Sequence, residues 1–275
     1  TGASLRWLDL TEDGRIDPTT VRVITERTRL LALTHASNVT GAITPLVDIL
    51  PAARAVGALV VLDTCQSAAH LPLDFAALHA AGVDAMVLSS HKMLGPTGIG
   101  ALVAAEELLE AMPPVLTGGS MIEVVRMESS TYMSGPARFE AGSQPLAQAA
   151  GWRTAVDYLS GLGMDRLHAG ELDLMQRVLD GLAALDGVRV LGPADTRERL
   201  GVVAFTVDSV HPHDVGQVLD ASGVAVRTGH HCAQPIHAHF SVSSSARVSF
   251  GVTTTAGEVD RFLEAAAGVR AYFQR

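Results

Sequence analysis

A chain of 275 residues, 48% of them apolar and 18% charged, is long enough for one large domain or two modest ones with real cores and leaves little room for long disorder. Its formal charge of −9 argues against nucleic acid or an anionic membrane as a partner, since either wants a basic face. No apolar run approaches the roughly 20 residues of a membrane span, and two cysteines, Cys65 and Cys232, make no disulfide framework, so a cytoplasmic location is expected.

The chain opens at Thr1 without methionine or a basic-then-apolar leader, which suggests a processed or truncated start. Residues 5–10 read as a strand closed by the Asp13-Gly14 turn signal. A short helix over 20–27 leads into a buried strand over 30–35, and Ser37-Asn38-Val39-Thr40-Gly41 is polar and turn-prone. Residues 45–56 read as a helix, kinked or restarted at Pro51. An all-apolar strand over 58–62 ends in Asp63, a helix follows over 74–81, then strands over 84–88 and 99–103.

Strands and helices therefore alternate with short connections, the pattern of an α/β domain around a mainly parallel sheet. Ligands of such sheets sit beyond the carboxyl ends of the strands. Three strand ends carry His35 and Asn38, Asp63 and Gln66, and Ser89, His91 and Lys92, and all three are expected to point into one crevice.

A polar, glycine-bearing connection over 117–142 precedes helical patterning over 145–185, where Leu172, Met175, Leu179 and Leu182 share one core-facing stripe. Strands are expected over 188–191, 202–207, 224–226 and 246–250, a helix over 213–221 and a loop over 227–235. Thr255 with Glu258 forms a capping box that starts a last helix to about Tyr272. The expected division is a cofactor-binding large domain over 1–150, incomplete at its N-terminus, and linking helices with a smaller α+β domain over 151–275.

Lys92 stands at the mouth of a buried strand, where desolvation makes it a candidate imine-forming amine; a solvated surface charge is the alternative. Asp63 ends another strand. Its carboxylate either meets a cation, such as the pyridinium nitrogen of pyridoxal phosphate, or caps a turn. Gln66 can donate to a ring hydroxyl, and Ser89 with His91 suits a phosphate. Cys232 lies on the loop Arg227-Thr228-Gly229-His230-His231-Cys232-Ala233-Gln234-Pro235, where two imidazoles and a glycine give it a route to thiolate character. Zinc would need about four ligands, and no matching Cys/His pair stands elsewhere, so no metal is expected. Arg247 and Arg227 are candidates for a bidentate grip on a substrate carboxylate, or for surface ion pairs.

Thr34-His35-Ala36-Ser37-Asn38-Val39, Asp63-Thr64-Cys65-Gln66, Ser89-Ser90-His91-Lys92 with Gly95-Pro96-Thr97-Gly98, Arg138-Phe139-Glu140-Ala141-Gly142 and the Cys232 loop occur in this order. Together they closely resemble the cysteine desulfurases of the sulfur-mobilisation type (group II), in the class V aminotransferase family, over essentially the whole chain. The resemblance implies the pyridoxal phosphate-dependent aminotransferase fold type I. It also implies an L-cysteine desulfurase that yields L-alanine and a persulfide on Cys232 for an acceptor protein, as in iron–sulfur cluster assembly.

By the same resemblance Lys92 carries the imine with pyridoxal 5′-phosphate, Asp63 meets the ring nitrogen, Gln66 the ring oxygen, and Ser89 and His91 the phosphate. Arg247, with Arg227 and Asn38, takes the substrate. Ser143, where the family has threonine, reaches the phosphate of the partner subunit, which implies a homodimer. The sequence departs from the family at Thr64-Cys65 (usually Gly-Ala), Gln144-Pro145 (Pro-Asn) and Thr253-Thr254 (Tyr-Asn). The family also has roughly a third of a chain before Thr1, holding a histidine that stacks on the ring and a threonine at the phosphate. A separate N-terminal segment is therefore one expected partner. Selenocysteine lyase, a class V aminotransferase and a non-catalytic truncated homologue acting as a partner or scaffold are the alternative functions.

Overall fold

A computed structural model describes residues 1–273. After a 3₁₀ turn at Pro18–Val23, the first part of the chain runs β1 (Leu30–Thr34), α1 (Leu46–Ala55), β2 (Leu59–Asp63), α2 (Phe75–Ala81), β3 (Ala85–Ser89), β4 (Gly100–Ala104) and α3 (Glu106–Ala111). A small hairpin, β5 (Ile122–Val125) and β6 (Ser130–Tyr132), leads to the long helices α4 (Leu146–Leu162) and α5 (Met164–Ala183). The last part runs β7 (Val188–Leu191), β8 (Val202–Val207), α6 (Pro212–Ala221), β9 (Arg227–Gly229), α7 (Gln234–His239), β10 (Ser245–Ser249) and α8 (Ala256–Phe273).

The first sheet has the order β1-β2-β3-β4, with β1, β2 and β3 parallel and β4 antiparallel to β3. Side chains alternate across a strand, so Leu31, Leu33, Val60, Leu62, Met86, Leu88 and Val103 point to one face and pack with Ile49, Leu50 and Ala53 of α1. On the other face, Leu30 pairs with Leu59, Thr34 with Asp63 and Val87 with Leu102. Leu30, Leu59 and Leu102 are 56%, 42% and 49% exposed there. A parallel sheet usually covers both faces; in this chain the face that carries Asp63 and Ser89 is open.

The second sheet, β7-β8-β10-β9, is antiparallel throughout. The buried stripe of α5 (Met175, Val178, Leu179, Leu182) packs on it with Val215 and Leu219 of α6 and Val259 and Phe262 of α8. The Thr255–Glu258 capping box forms: Thr255 N donates to Glu258 Oε2 at 2.8 Å, and Glu258 N to Thr255 Oγ1 at 3.3 Å. No helix among the described residues is long and apolar enough to cross a membrane.

Five local expectations are corrected. Residues 5–10 form no strand; Leu5 and Trp7 are exposed, and the stretch makes only a bridge from Leu10 to Ile16. The helix expected over 20–27 is the 3₁₀ turn Pro18–Val23, started by the Asp17 side chain. Instead of 224–226, the strand is Arg227–Gly229, because its pairing with β10 sets the register. The connection over 117–142 contains the β5–β6 hairpin, and the loop over 227–235 gives way to α7 from Gln234.

Candidate active site

The carboxyl ends of β1, β2 and β3 lie side by side, Thr34 opposite Asp63 and Asp63 opposite Val87. Beyond β3 the backbone leaves the strand at Ser89 and tightens into a 3₁₀ turn, Ser90–Met93, closed by Leu94 in the left-handed region (φ 62°) and by Gly95 N donating to Ser90 O at 3.0 Å. This turn holds His91 and Lys92 in solvent. Lys92 is the single lysine of the sequence, a signal that composition offers directly. Among the described residues it has no carboxylate partner.

The turn after β2 is stitched to β3. Asp63 Oδ1 accepts from Cys65 N at 2.9 Å, Thr64 Oγ1 donates to Val87 O at 2.7 Å, and Cys65 Sγ lies 3.3 Å from Ser89 Oγ. Asp63 therefore caps its own turn through one oxygen and leaves the other open. Gln66 sits half-buried at the start of the following 3₁₀ turn, Ser67–Ala69. His35 is turned inward, contrary to the expectation for its strand end: it is buried, its Nδ1 lies 2.8 Å from Ser67 Oγ, and burial pulls its pKa down.

The second sheet supplies the other half. Arg227 and Arg247 face each other directly across β9 and β10, so both guanidiniums stand at one edge. Arg227 Nη2 donates to Cys232 Sγ at 3.0 Å. Arg247 Nη1 donates to Asn38 O at 2.8 Å, and Asn38 Nδ2 donates to the carbonyl of His231. Burial first, and Arg227 next, pull the Arg247 guanidinium below its ordinary pKa, with Cys232 opposing. Because Asn38 follows β1, these bonds tie the exposed Cys232 loop to the edge of the first sheet that carries Asp63, Ser89 and Lys92.

Ser143 is not brought to that edge. It lines a separate shallow cleft with Ser120, Ala137, Glu140 and Gln144. Two features escaped the sequence reading: the Cys65–Ser89 contact, and a buried Ser245 behind the Cys232 loop. Ser245 had a signal, since a residue two before Arg247 on a strand shares its face.

The donor set suits an aldehyde-bearing pyridine phosphate: one unpaired amine, one carboxylate with an open oxygen, and a hydroxyl beside an imidazole at neighbouring strand tips.

The aminotransferase class-V family model matches residues 1–262. A protein of Mycobacterium leprae (strain TN) named probable cysteine desulfurase 2 is 49% identical over 274 residues, covering 100% of this chain and 65% of that protein. The chain thus spans just under two thirds of that relative's length. The crystal structure of the cysteine desulfurase CsdA from Escherichia coli superposes with a TM-score of 0.90 at 33% identity, covering 96% of this chain and 65% of that one. A C-DES variant with glycine covalently linked to its PLP cofactor gives a TM-score of 0.77 at 25% identity, covering 91% of this chain and 63% of that one.

Proposed function

The chain belongs to the class-V aminotransferase family, and from that premise we propose that it carries the cofactor amine and the sulfur-accepting thiol of a pyridoxal phosphate-dependent L-cysteine desulfurase. One observation carries the reading. The only exposed thiol, Cys232, stands on a loop that Asn38 fastens to the sheet edge bearing the only lysine, with Arg227 and Arg247 alongside.

Lys92 would hold the cofactor through its amine, with Asp63 placed to meet the ring nitrogen, Gln66 the ring oxygen, and Ser89 and His91 the phosphate. When bound, the cofactor supplies an electron sink next to the substrate Cα. Arg247 takes the L-cysteine carboxylate in its guanidinium fork, with Asn38 and Arg227 beside it. Once the substrate amine has taken its place, the freed Lys92 amine removes the Cα proton and returns it to the product. Cys232 Sγ attacks the substrate sulfur: an S–S bond forms as the Cβ–S bond breaks, and the electron pair left toward Cβ is protonated. The products are L-alanine and a Cys232 persulfide, whose outer sulfur passes to an acceptor protein.

Residues 1–150 are read as the cofactor-binding domain and the rest as linking helices with a small domain, a division supported by the two separate sheets. Ser143, away from Lys92 in its own chain, is assigned to the cofactor phosphate of a second copy in a homodimer.

In the holoenzyme given L-cysteine, Cys232→Ala is expected to abolish persulfide formation, read by mass spectrometry, while keeping the visible absorbance of the bound cofactor. Lys92→Ala is expected to remove that absorbance. Sulfide release by Cys232→Ala at the parent rate would overturn the assignment.

A further inference from the structure

Behind the Cys232 thiol lies a buried polar cluster with no part in the chemistry above. Ser245 (β10) and His231 and His237 (α7) are 0%, 1% and 1% exposed. Ser245 Oγ sits 2.9 Å from His231 Nε2 and 2.9 Å from His237 Nε2, and His237 Nδ1 lies 3.1 Å from the carbonyl of Ala233. The two neighbours of Cys232 in the chain, His231 and Ala233, are therefore both tied to one hydroxyl. His231 and Cys232 are themselves in the left-handed region, at φ 53° and 61°, which side-chain-bearing residues occupy at a cost that surrounding contacts must hold in place.

We propose that Ser245, acting through His231 and His237, is a positioning residue that clamps both sides of Cys232 and keeps its sulfur turned toward Arg227.

The hydrogen bonds fix their own direction. A carbonyl only accepts, so His237 Nδ1 carries the proton to Ala233 O. His237 then accepts at Nε2 from the Ser245 hydroxyl, which in turn accepts from His231 Nε2–H. This leaves His231 Nδ1 as a bare lone pair, and that atom is buried without a partner. The reverse direction would bury an N–H with no acceptor, which folded proteins avoid more strictly. Burial, with Arg247, His237 and Arg227 adding, drives the His231 pKa down to about 4, in keeping with a neutral ring.

The inference rests on Cys232 as the sulfur acceptor only for its effect on turnover; the thiol and the tautomers report on it independently. In the parent, ¹⁵N spectra are expected to show His231 protonated at Nε2 and His237 at Nδ1. The opposite tautomers would overturn the clamp even if no variant folds. In folded Ser245→Ala the fixed tautomers are expected to be lost, and Cys232, its sulfur released from Arg227, to react with iodoacetamide about fivefold more slowly. In turnover kcat is expected to fall about tenfold with KM for L-cysteine and cofactor absorbance held, and Ser245→Thr to recover most of it. Unchanged tautomers and alkylation in folded Ser245→Ala would sink the clamp. Changed tautomers and alkylation in a protein whose parent makes no persulfide would sink the desulfurase reading and leave the clamp standing.

Discussion

Two cysteines end up in opposite surroundings, and the contrast decides which sulfur is the readier nucleophile. Cys232 is exposed, with its sulfur directed by Arg227. Cys65 is half-buried, with Sγ against Ser89 Oγ and the carbonyl of Val87. Burial is the largest influence on the Cys65 thiol, and the Asp63 carboxylate adds to it; they push its pKa up against the opposing pull of Ser89 and Lys92. A thiol held protonated is a poor nucleophile. With one equivalent of iodoacetamide near neutral pH, Cys232 is therefore expected to be alkylated about tenfold faster than Cys65. Peptide mass spectrometry reads the ratio, and equal labelling would return Cys65 to candidacy as a sulfur carrier. Asp63 takes up the turn-capping reading open to it in the sequence, Oδ1 accepting from Cys65 N, and its second oxygen stays available.

At the scale of elements, the turn after β3 is the part with least tolerance. A Cβ on Gly95 would lie 2.2 Å from Ser90 Oγ and 3.1 Å from both the Ser90 carbonyl and Trp152 Cδ1 of α4. Ser90 is fully buried, so its side chain has no room to swing away and the 3₁₀ turn that presents Lys92 must shift. Gly95→Ala is expected to cost about 1–3 kcal/mol of stability and to weaken cofactor binding, seen together as a lower Tm and a weaker absorbance titration. An unchanged titration would detach the turn from the cofactor site. The elements that position this site were legible because β1, β2 and β3 are apolar runs that end abruptly in polar residues. Residues 5–10 misled because alternation shows which side chains could share a face, but a strand also needs a neighbour to bond, and here only Leu10 finds one. The β5–β6 hairpin escaped because Val124 and Val125 are exposed and no buried stripe marks it.

Across the whole molecule the candidate site is assembled from two sheets, and its geometry depends on bonds that cross between their surroundings. Sequence motifs named most of the residues but not these ties: Asn38 to the His231 carbonyl and Arg247 to the Asn38 carbonyl span 193 and 209 positions, which no local pattern encodes. The deepest tie joins a carboxylate to an imidazole. Glu171 on α5 is 4% exposed, and both its carboxylate oxygens meet His70 Nδ1, at 2.8 and 2.9 Å. His70 ends the 3₁₀ turn that follows Asp63-Thr64-Cys65-Gln66, so this pair pins the turn after β2 to the helix that backs the second sheet. Removing one partner of a buried pair leaves an uncompensated charge, whereas a neutral isostere keeps the hydrogen bond. His70→Ala is expected to lose about 3 kcal/mol and to loosen cofactor binding with it, because the turn bearing Asp63 loses its anchor. Glu171→Gln, which keeps an amide oxygen and nitrogen against the imidazole, is expected to lose only about 1 kcal/mol. Urea denaturation followed by circular dichroism separates the two. Equal losses would mean that the pair contributes packing alone, and that the turn is held in register by the Thr64–Val87 and Cys65–Ser89 contacts instead.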